Sequence, residues 1–129
     1  MIVVDSSVWI ANLRDLDIDA VHKLRSIDDP GEILVGDLIL LEVLQGARGE
    51  DHAARIEHNL RQFRIEPMLD ADLVVKAARH YRSLRREGIT VRRTIDIIIA
   101  TFCVEGHHFL LHDDRDFDMM ASHLGLRLV

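Results

Sequence analysis

The sequence predicts an α/β fold with a mostly parallel sheet of short strands covered on both faces by helices, and three observations carry that expectation. Short apolar runs at Ile2 to Val4, Ile33 to Val35 and Phe109 to Leu111 lack the polar alternation of a one-sided strand. Between them lie stretches with apolar residues at helical spacing. Acidic residues stand just past two of the runs, Asp5 after the first and Asp114 after the third, and ligands of open α/β sheets bind at the carboxyl ends of strands.

The elements follow in order. Residues 2 to 4 form a buried strand, and Ser6 or Ser7 is expected to cap a helix through about Arg14 that carries Val8, Trp9, Ile10 and Leu13. A second helix, from about Asp17 to Ile27, stops near Asp29-Pro30-Gly31. Ile33 to Val35 is a strand, after which Asp37 is expected to cap a helix reaching Gln45, with Gly46 and Gly49 as terminators. Ala54, Ile56, Leu60 and Phe63 mark a helix over residues 51 to 63, followed by a strand from Arg64 to Met68. From Asp70, Leu73, Ala77, Tyr81 and Leu84 describe a long amphipathic helix ending at Gly88. Residues 94 to 105 contain Ile97-Ile98-Ile99, which favours strand locally, but the length of the segment and its Ala100 and Glu105 context favour helix. Phe109 to Leu111 is then a strand, Asp116 to Leu124 a helix, and Leu126 to Val129 a last strand.

Composition narrows the function classes. A chain of 129 residues is expected to form one domain, 1–129, around one core. Hydrophobic residues make up 48%, and without Pro/Gly-rich or charged tracts this excludes a disordered chain. No apolar run approaches the about 18 residues that span a bilayer, and Asp5 interrupts any leader, so neither membrane nor export is expected. Cys103 is the single cysteine, between Phe102 and Val104, which is expected to make it a buried reduced thiol and the protein cytoplasmic. A net charge of −6 argues against polyanion binding by bulk electrostatics.

Four carboxylates stand in apolar company. Asp5 closes Met1-Ile-Val-Val, Glu42 divides Leu38-Ile-Leu-Leu from Val43-Leu44, Asp96 stands between Ile95 and Ile97, and Asp114 follows Phe109-Leu-Leu-His-Asp. An isolated carboxylate in such surroundings costs several kcal/mol or takes up a proton unless a cation compensates it. Convergence on a divalent metal accounts for all four. Oxygen ligands without Cys or a His pair select Mg²⁺ or Mn²⁺ over Zn²⁺, and metals held so act on phosphate esters by lowering the pKa of a water and stabilising the leaving oxygen.

Each acid also has a plainer role available. Asp5 can cap the first helix, Glu42 can pair with an arginine, and Asp96 has Arg92 and Arg93 nearby. Asp113, Asp114, Asp116 and Asp118 crowd a helix start where negative charge is favoured anyway. Asp114 and then Asp116 are placed to reach a metal, while Asp118 reads as a first-turn residue. Ser6 or Ser7 can orient a phosphate or a water. His112 reads as a turn residue, and His107-His108 as exposed loop. A positive track exists despite the net charge: Arg79, Arg82 and Arg86 share a helix face leading toward Arg92, Arg93 and Asp96, and serve equally as a solvated face or a phosphate path. One Trp and one Tyr give no base-stacking platform.

Four segments, Val3-Val4-Asp5-Ser6-Ser7, Leu41-Glu42-Val43-Leu44-Gln45-Gly46, Thr94-Ile95-Asp96-Ile97-Ile98-Ile99-Ala100 and Leu110-Leu111-His112-Asp113-Asp114-Arg115-Asp116-Phe117, together resemble the PIN-domain ribonucleases, specifically the VapC toxins of type II toxin-antitoxin systems. The resemblance runs from residue 1 to about 120 with the motifs in order. It implies a PIN-like three-layer α/β/α fold and an Mg²⁺-dependent endoribonuclease, with Mn²⁺ able to substitute. The metal would be held by Asp5, Glu42, Asp96 and Asp114, with Asp116 close behind and Ser6 in the active site. It also implies a homodimer silenced by a VapB-type antitoxin, whose C-terminal segment lies in the toxin groove and can set an Arg against the acids. His112 replaces a residue that is often Thr in the family, and Asp113 adds an acid without an assigned role. A competing reading is a non-catalytic PIN-like module that binds RNA or protein, expected to have lost an acid; none is missing. A phosphoryl-accepting receiver domain needs an acidic pair after its first strand and a Lys after its last, whereas Ser6 follows Asp5 and the only lysines are Lys23 and Lys76.

Overall fold

The computed structural model describes residues 1–129. In chain order it contains β1 (Ile2–Val4), α1 (Ser6–Leu13), α2 (Asp19–Arg25), a 3₁₀ turn (Pro30–Glu32), β2 (Ile33–Gly36), α3 (Asp37–Gln45), α4 (Glu50–Leu60), β3 (Arg64–Glu66), α5 (Ala71–Arg86), α6 (Thr94–Gly106), β4 (Phe109–Leu111), α7 (Arg115–Leu124) and β5 (Arg127–Leu128). The five strands form one sheet in the order β3-β2-β1-β4-β5. Every pairing is parallel, with Val3 opposite both Leu34 and Leu110. The chain builds outward from β1 to β3, then returns to lay β4 on the other side of β1. The strand order therefore reverses between β1 and β4, which is where a crevice opens in a doubly wound sheet.

The central strands are apolar because they are covered twice. Val3, Val4, Leu34, Val35, Leu110 and Leu111 are all buried. Helices α1 to α4 contact one another in chain neighbourhood, while α5, α6 and α7 contact one another as a second group; one core of Val, Ile, Leu, Met and Phe side chains joins both to the sheet. The Ile97-Ile98-Ile99 run is helical, as the segment length predicts, because α6 is buried on much of its circumference and tertiary packing overrides β-propensity. Thr101, fully buried on the same helix, donates to the Ile97 carbonyl at 2.7 Å and so accepts from His80 Nδ1 at 3.0 Å. Left-handed residues end both α6 and α7, His107 at φ 56° and Gly125 at φ 72°.

The second helix ends at Arg25, ahead of the Asp29-Pro30-Gly31 breaker, which is itself a 3₁₀ turn that Asp29 caps by accepting from the Gly31 N–H. Two local expectations are corrected. Gly36, with no side-chain cap, precedes α3, and Asp37 instead accepts the Met68 N–H at 3.1 Å, tying the segment after β3 to the start of α3. His108 is half-buried and stacks on Phe102 at 5.5 Å, so it is no exposed loop residue.

Gly36 has an ordinary φ of −73°, and its constraint is space: a Cβ there would lie 2.2 Å from Met68 Sδ. Because Met68 is itself buried at 2% exposure, its side chain has little room to retreat. Gly36→Ala is expected to cost about 1–3 kcal/mol by overpacking, read as a lower urea midpoint with an unchanged slope.

Candidate metal centre

The carboxyl end of β1 and that of β4 are stitched together. The Asp5 N–H donates to the Leu111 carbonyl at 2.9 Å, and the Asp113 N–H donates to Ser7 Oγ at 3.1 Å. Asp5 caps α1, its Oδ2 accepting from the Ser7 N–H at 3.1 Å and from Ser7 Oγ at 2.6 Å. The expected serine cap is thus replaced by the aspartate. Asp5 still keeps one oxygen free: Oδ1 is buried without any hydrogen-bond partner. An orphaned carboxylate oxygen at 1% residue exposure is a cost the fold does not otherwise offset.

Ser6, 5% exposed, is turned the other way from Ser7 and donates to Glu42 Oε1 at 3.0 Å. It links α1 to α3. Glu42 is half-buried on α3, and burial raises its carboxyl above the ordinary range, with the Ser6 hydrogen bond opposing and the Asp5 charge adding to the rise. Burial likewise raises Asp5, opposed by the Ser7 hydrogen bonds and reinforced by the Asp96 charge. Arg93 reaches both Glu42 and Asp96, which places these two acids about one guanidinium.

Asp96, in the first turn of α6, is fully buried. Arg93 holds it with two bonds, Nε to Oδ2 at 3.1 Å and Nη2 to Oδ1 at 2.8 Å, and reaches Glu42 Oε2 with Nη1 at 3.5 Å. Asp114 caps α7 through Oδ1, which accepts from the Asp116 N–H at 3.0 Å. Asp116 takes two bonds from Arg92, at 3.1 and 3.0 Å. Asp96, Asp114 and Asp116 each present a carboxylate oxygen, all within 4.8 Å of one another. Asp116, second to Asp114 in the sequence reading, stands in this group on equal terms.

The remaining candidates separate. Asp118 points away to His112 Nε2 at 3.2 Å, as a first-turn helix residue would. His112 is more than a turn residue: its Nδ1 accepts from the Asp114 N–H at 3.1 Å and its ring packs on Phe117 at 5.3 Å. Asp113 is exposed and joins the site only through its backbone. Arg79, Arg82 and Arg86 are all exposed on α5. Cys103 is buried, with its thiol pushed up to about 12 by desolvation, and takes no part. The sequence did not single out Ser7 as the hub between Asp5 and β4; its only signal was a second hydroxyl after the aspartate.

The donor set fits a hard divalent cation. It consists of oxygens alone: the Asp96, Asp114 and Asp116 carboxylates lie within 4.8 Å of one another, while outside that triplet Glu42 is tied to Asp96 through Arg93 and Asp5 contributes one buried oxygen that lacks a partner. Asp5, Glu42, Asp96, Asp114 and Asp116 are the residues that could hold it.

Comparison with known proteins decides the family. The PIN domain profile matches residues 2–122. The chain belongs to the PIN domain family. Among curated PIN-family relatives, ribonuclease VapC11 of Mycobacterium tuberculosis is 29% identical over 126 residues, covering 94% of this chain and 92% of that protein. Two solved structures share the fold. VapBC2 from Rickettsia felis, bound to a DNA fragment from its promoter, superposes with a TM-score of 0.78 at 15% identity, over 100% of this chain and 98% of the other. FitAcB from Neisseria gonorrhoeae gives 0.77 at 16% identity, over 99% and 96%. The PIN fold predicted from the four motifs is therefore present, with a sheet that is wholly parallel where the expectation was mostly parallel.

Proposed function

We propose that this PIN domain, residues 1–129 as one unit, is a divalent-metal-dependent endoribonuclease acting as the toxin of a VapBC-type toxin-antitoxin pair. The observation that carries the reading is the triplet of Asp96, Asp114 and Asp116 oxygens within 4.8 Å. The resemblance to a ribonuclease over 94% of the chain supports RNA as substrate.

Asp5, Glu42, Asp96 and Asp114 would hold Mg²⁺ or Mn²⁺, with Asp116 beside them. When bound, such an ion supplies the charge that activates a water toward phosphorus and offsets negative charge on the leaving oxygen. The chain's own groups do the positioning. Ser7 fixes the Asp5 carboxylate, Ser6 fixes Glu42, and the N-cap bond of Asp114 fixes the third acid relative to α7. His112, accepting from the Asp114 N–H, sets the backbone from which that acid projects. The exposed Arg79 and Arg86 of α5 are cations that would follow an RNA phosphate backbone.

The partners follow from surface chemistry. Leu13 is exposed in a groove that it lines with Trp9, Val43, Leu60 and Phe63, a surface that fits an apolar antitoxin segment. Leu69, Val74 and Tyr81 are exposed around a second groove, between α5 and α6, that fits a second copy of the chain. No helix is long and apolar enough to cross a membrane.

The test is cleavage of RNA by the purified protein with Mn²⁺, then with EDTA, then with Mn²⁺ restored. Activity should disappear and return; cleavage that persists in EDTA would overturn the metal-dependent reading. Ser6→Ala should keep the fold and lower the rate by about tenfold, the usual cost of losing a group that orients a ligand. An unchanged rate would remove Ser6 from the site.

A further inference from the structure

Asp96 is the most deeply buried acid of the centre, and each of its oxygens accepts one bond from Arg93, whose third nitrogen leans toward Glu42. Each oxygen keeps a further lone pair, but a cation that binds there meets the guanidinium charge at close range and competes with it for Asp96. A guanidinium stays protonated at any ordinary pH, so Arg93 leaves by moving and not by losing its proton.

The local structure permits that movement. Arg93 lies just outside α6, in extended backbone at φ −123° and ψ 131°, and makes no capping bond. Its side chain is 51% exposed while that of Asp96 is 0% exposed, so the pair has one fixed member and one member open to solvent. Water can solvate the guanidinium as it leaves, but buried Asp96 needs another cation in its place, so the pair gives way only to one. A divalent ion meeting several carboxylates competes well against it. Asp5 Oδ1, buried and unpaired beside this pair's electrostatic field, gives the incoming ion an oxygen that no arginine holds.

Resting on the metal-centre reading above, we propose that Arg93 is a resident counter-ion of the acidic centre that a divalent cation displaces, and that the displaced guanidinium then binds a phosphate of the RNA. In the first state Arg93 keeps Asp96 paired, which a buried carboxylate requires. In the second, its planar fork stays tethered three residues from Asp96, at the mouth of the site, with donors matched to two phosphate oxygens. Arg92 differs: it holds Asp116, whose side chain is 15% exposed, from a position 73% exposed at the rim.

Mn²⁺ affinity, followed by the loss of the free-ion EPR signal, tests this in wild type, Arg93→Gln, Arg93→Lys and Arg55→Gln, the last removing an equal charge from exposed α4. Arg93→Gln should bind Mn²⁺ about fivefold more tightly or better, and Arg55→Gln should stay within about twofold of wild type. In EDTA, Arg93→Gln should melt below wild type and gain more from Mn²⁺ than wild type does. At saturating Mn²⁺ its KM for RNA should rise about tenfold with a smaller change in kcat, the signature of a lost phosphate contact. Should Arg93→Gln fail to fold, Arg93→Lys, which keeps the charge without the fork, carries the test and should also bind more tightly than wild type. Equal or weaker Mn²⁺ binding by the Arg93 variants, with normal binding by wild type, would overturn the counter-ion role alone. Absence of Mn²⁺ binding by wild type would overturn the metal centre, and the inference with it.

Discussion

Asp5→Asn is expected to make the metal-free protein more stable, by about 1–2 kcal/mol at pH 7, while abolishing RNA cleavage. Asparagine's carbonyl oxygen can accept the two Ser7 bonds that now fall on Oδ2, so the α1 cap survives. What disappears is a buried negative charge with one unpaired oxygen. The pH dependence has a defined sign. Burial raises the carboxyls of Asp5 and Glu42 above their unfolded value of about 4, so folding favours their protonated forms relative to the unfolded chain. Their contribution to stability is complete below that unfolded value and is lost as pH rises through the higher folded values. Metal-free wild type should therefore lose stability on going from acid to neutral pH more steeply than Asp5→Asn. Thermal melts in EDTA across that range check it, and an Asp5→Asn protein that melts lower at pH 7 would show that the charge is not strained. Mn²⁺ should raise the melting temperature of wild type well above its effect on the variant.

Asp96→Asn should lower RNA cleavage by about a hundredfold or more at saturating Mn²⁺, in line with the cost of removing one charge-stabilising group from a catalytic site. The amide is nearly isosteric and Arg93 can still donate to its oxygen, so circular dichroism and melting should show a folded protein. Equal activity of the two proteins at matched folding would remove Asp96 from the chemistry. A loss that high Mn²⁺ partly rescues would assign it to metal binding.

Much of this architecture was legible because burial writes itself into composition. Ile2 to Val4 and Phe109 to Leu111 have no polar alternation since helices cover both faces of the sheet, and Asp5 and Asp114 stood out as the acids that end those runs. The caps were less legible. Asp5 takes the role expected of Ser6 or Ser7, and Gly36 precedes α3 in place of Asp37, because cap choice depends on which neighbouring strand or helix competes for each side chain. Asp116 drew level with Asp114 only through three-dimensional convergence with Asp96. Arg92 and Arg93 were readable as possible partners of Asp96, but the division of labour between them, one to Asp116 and one to Asp96 and Glu42, rests on how α3, α6 and α7 pack together. Spacing along the chain carries no record of that packing.

The central claim is that acids from four separate elements converge on one cation. A crystal of the wild-type protein soaked in Mn²⁺ and measured for anomalous scattering tests it most directly. The predicted result is an anomalous peak bounded by Asp96, Asp114 and Asp116 on the side facing Asp5, absent from an Asp96→Asn crystal treated alike. A peak elsewhere, or none at saturating Mn²⁺, would contradict the account.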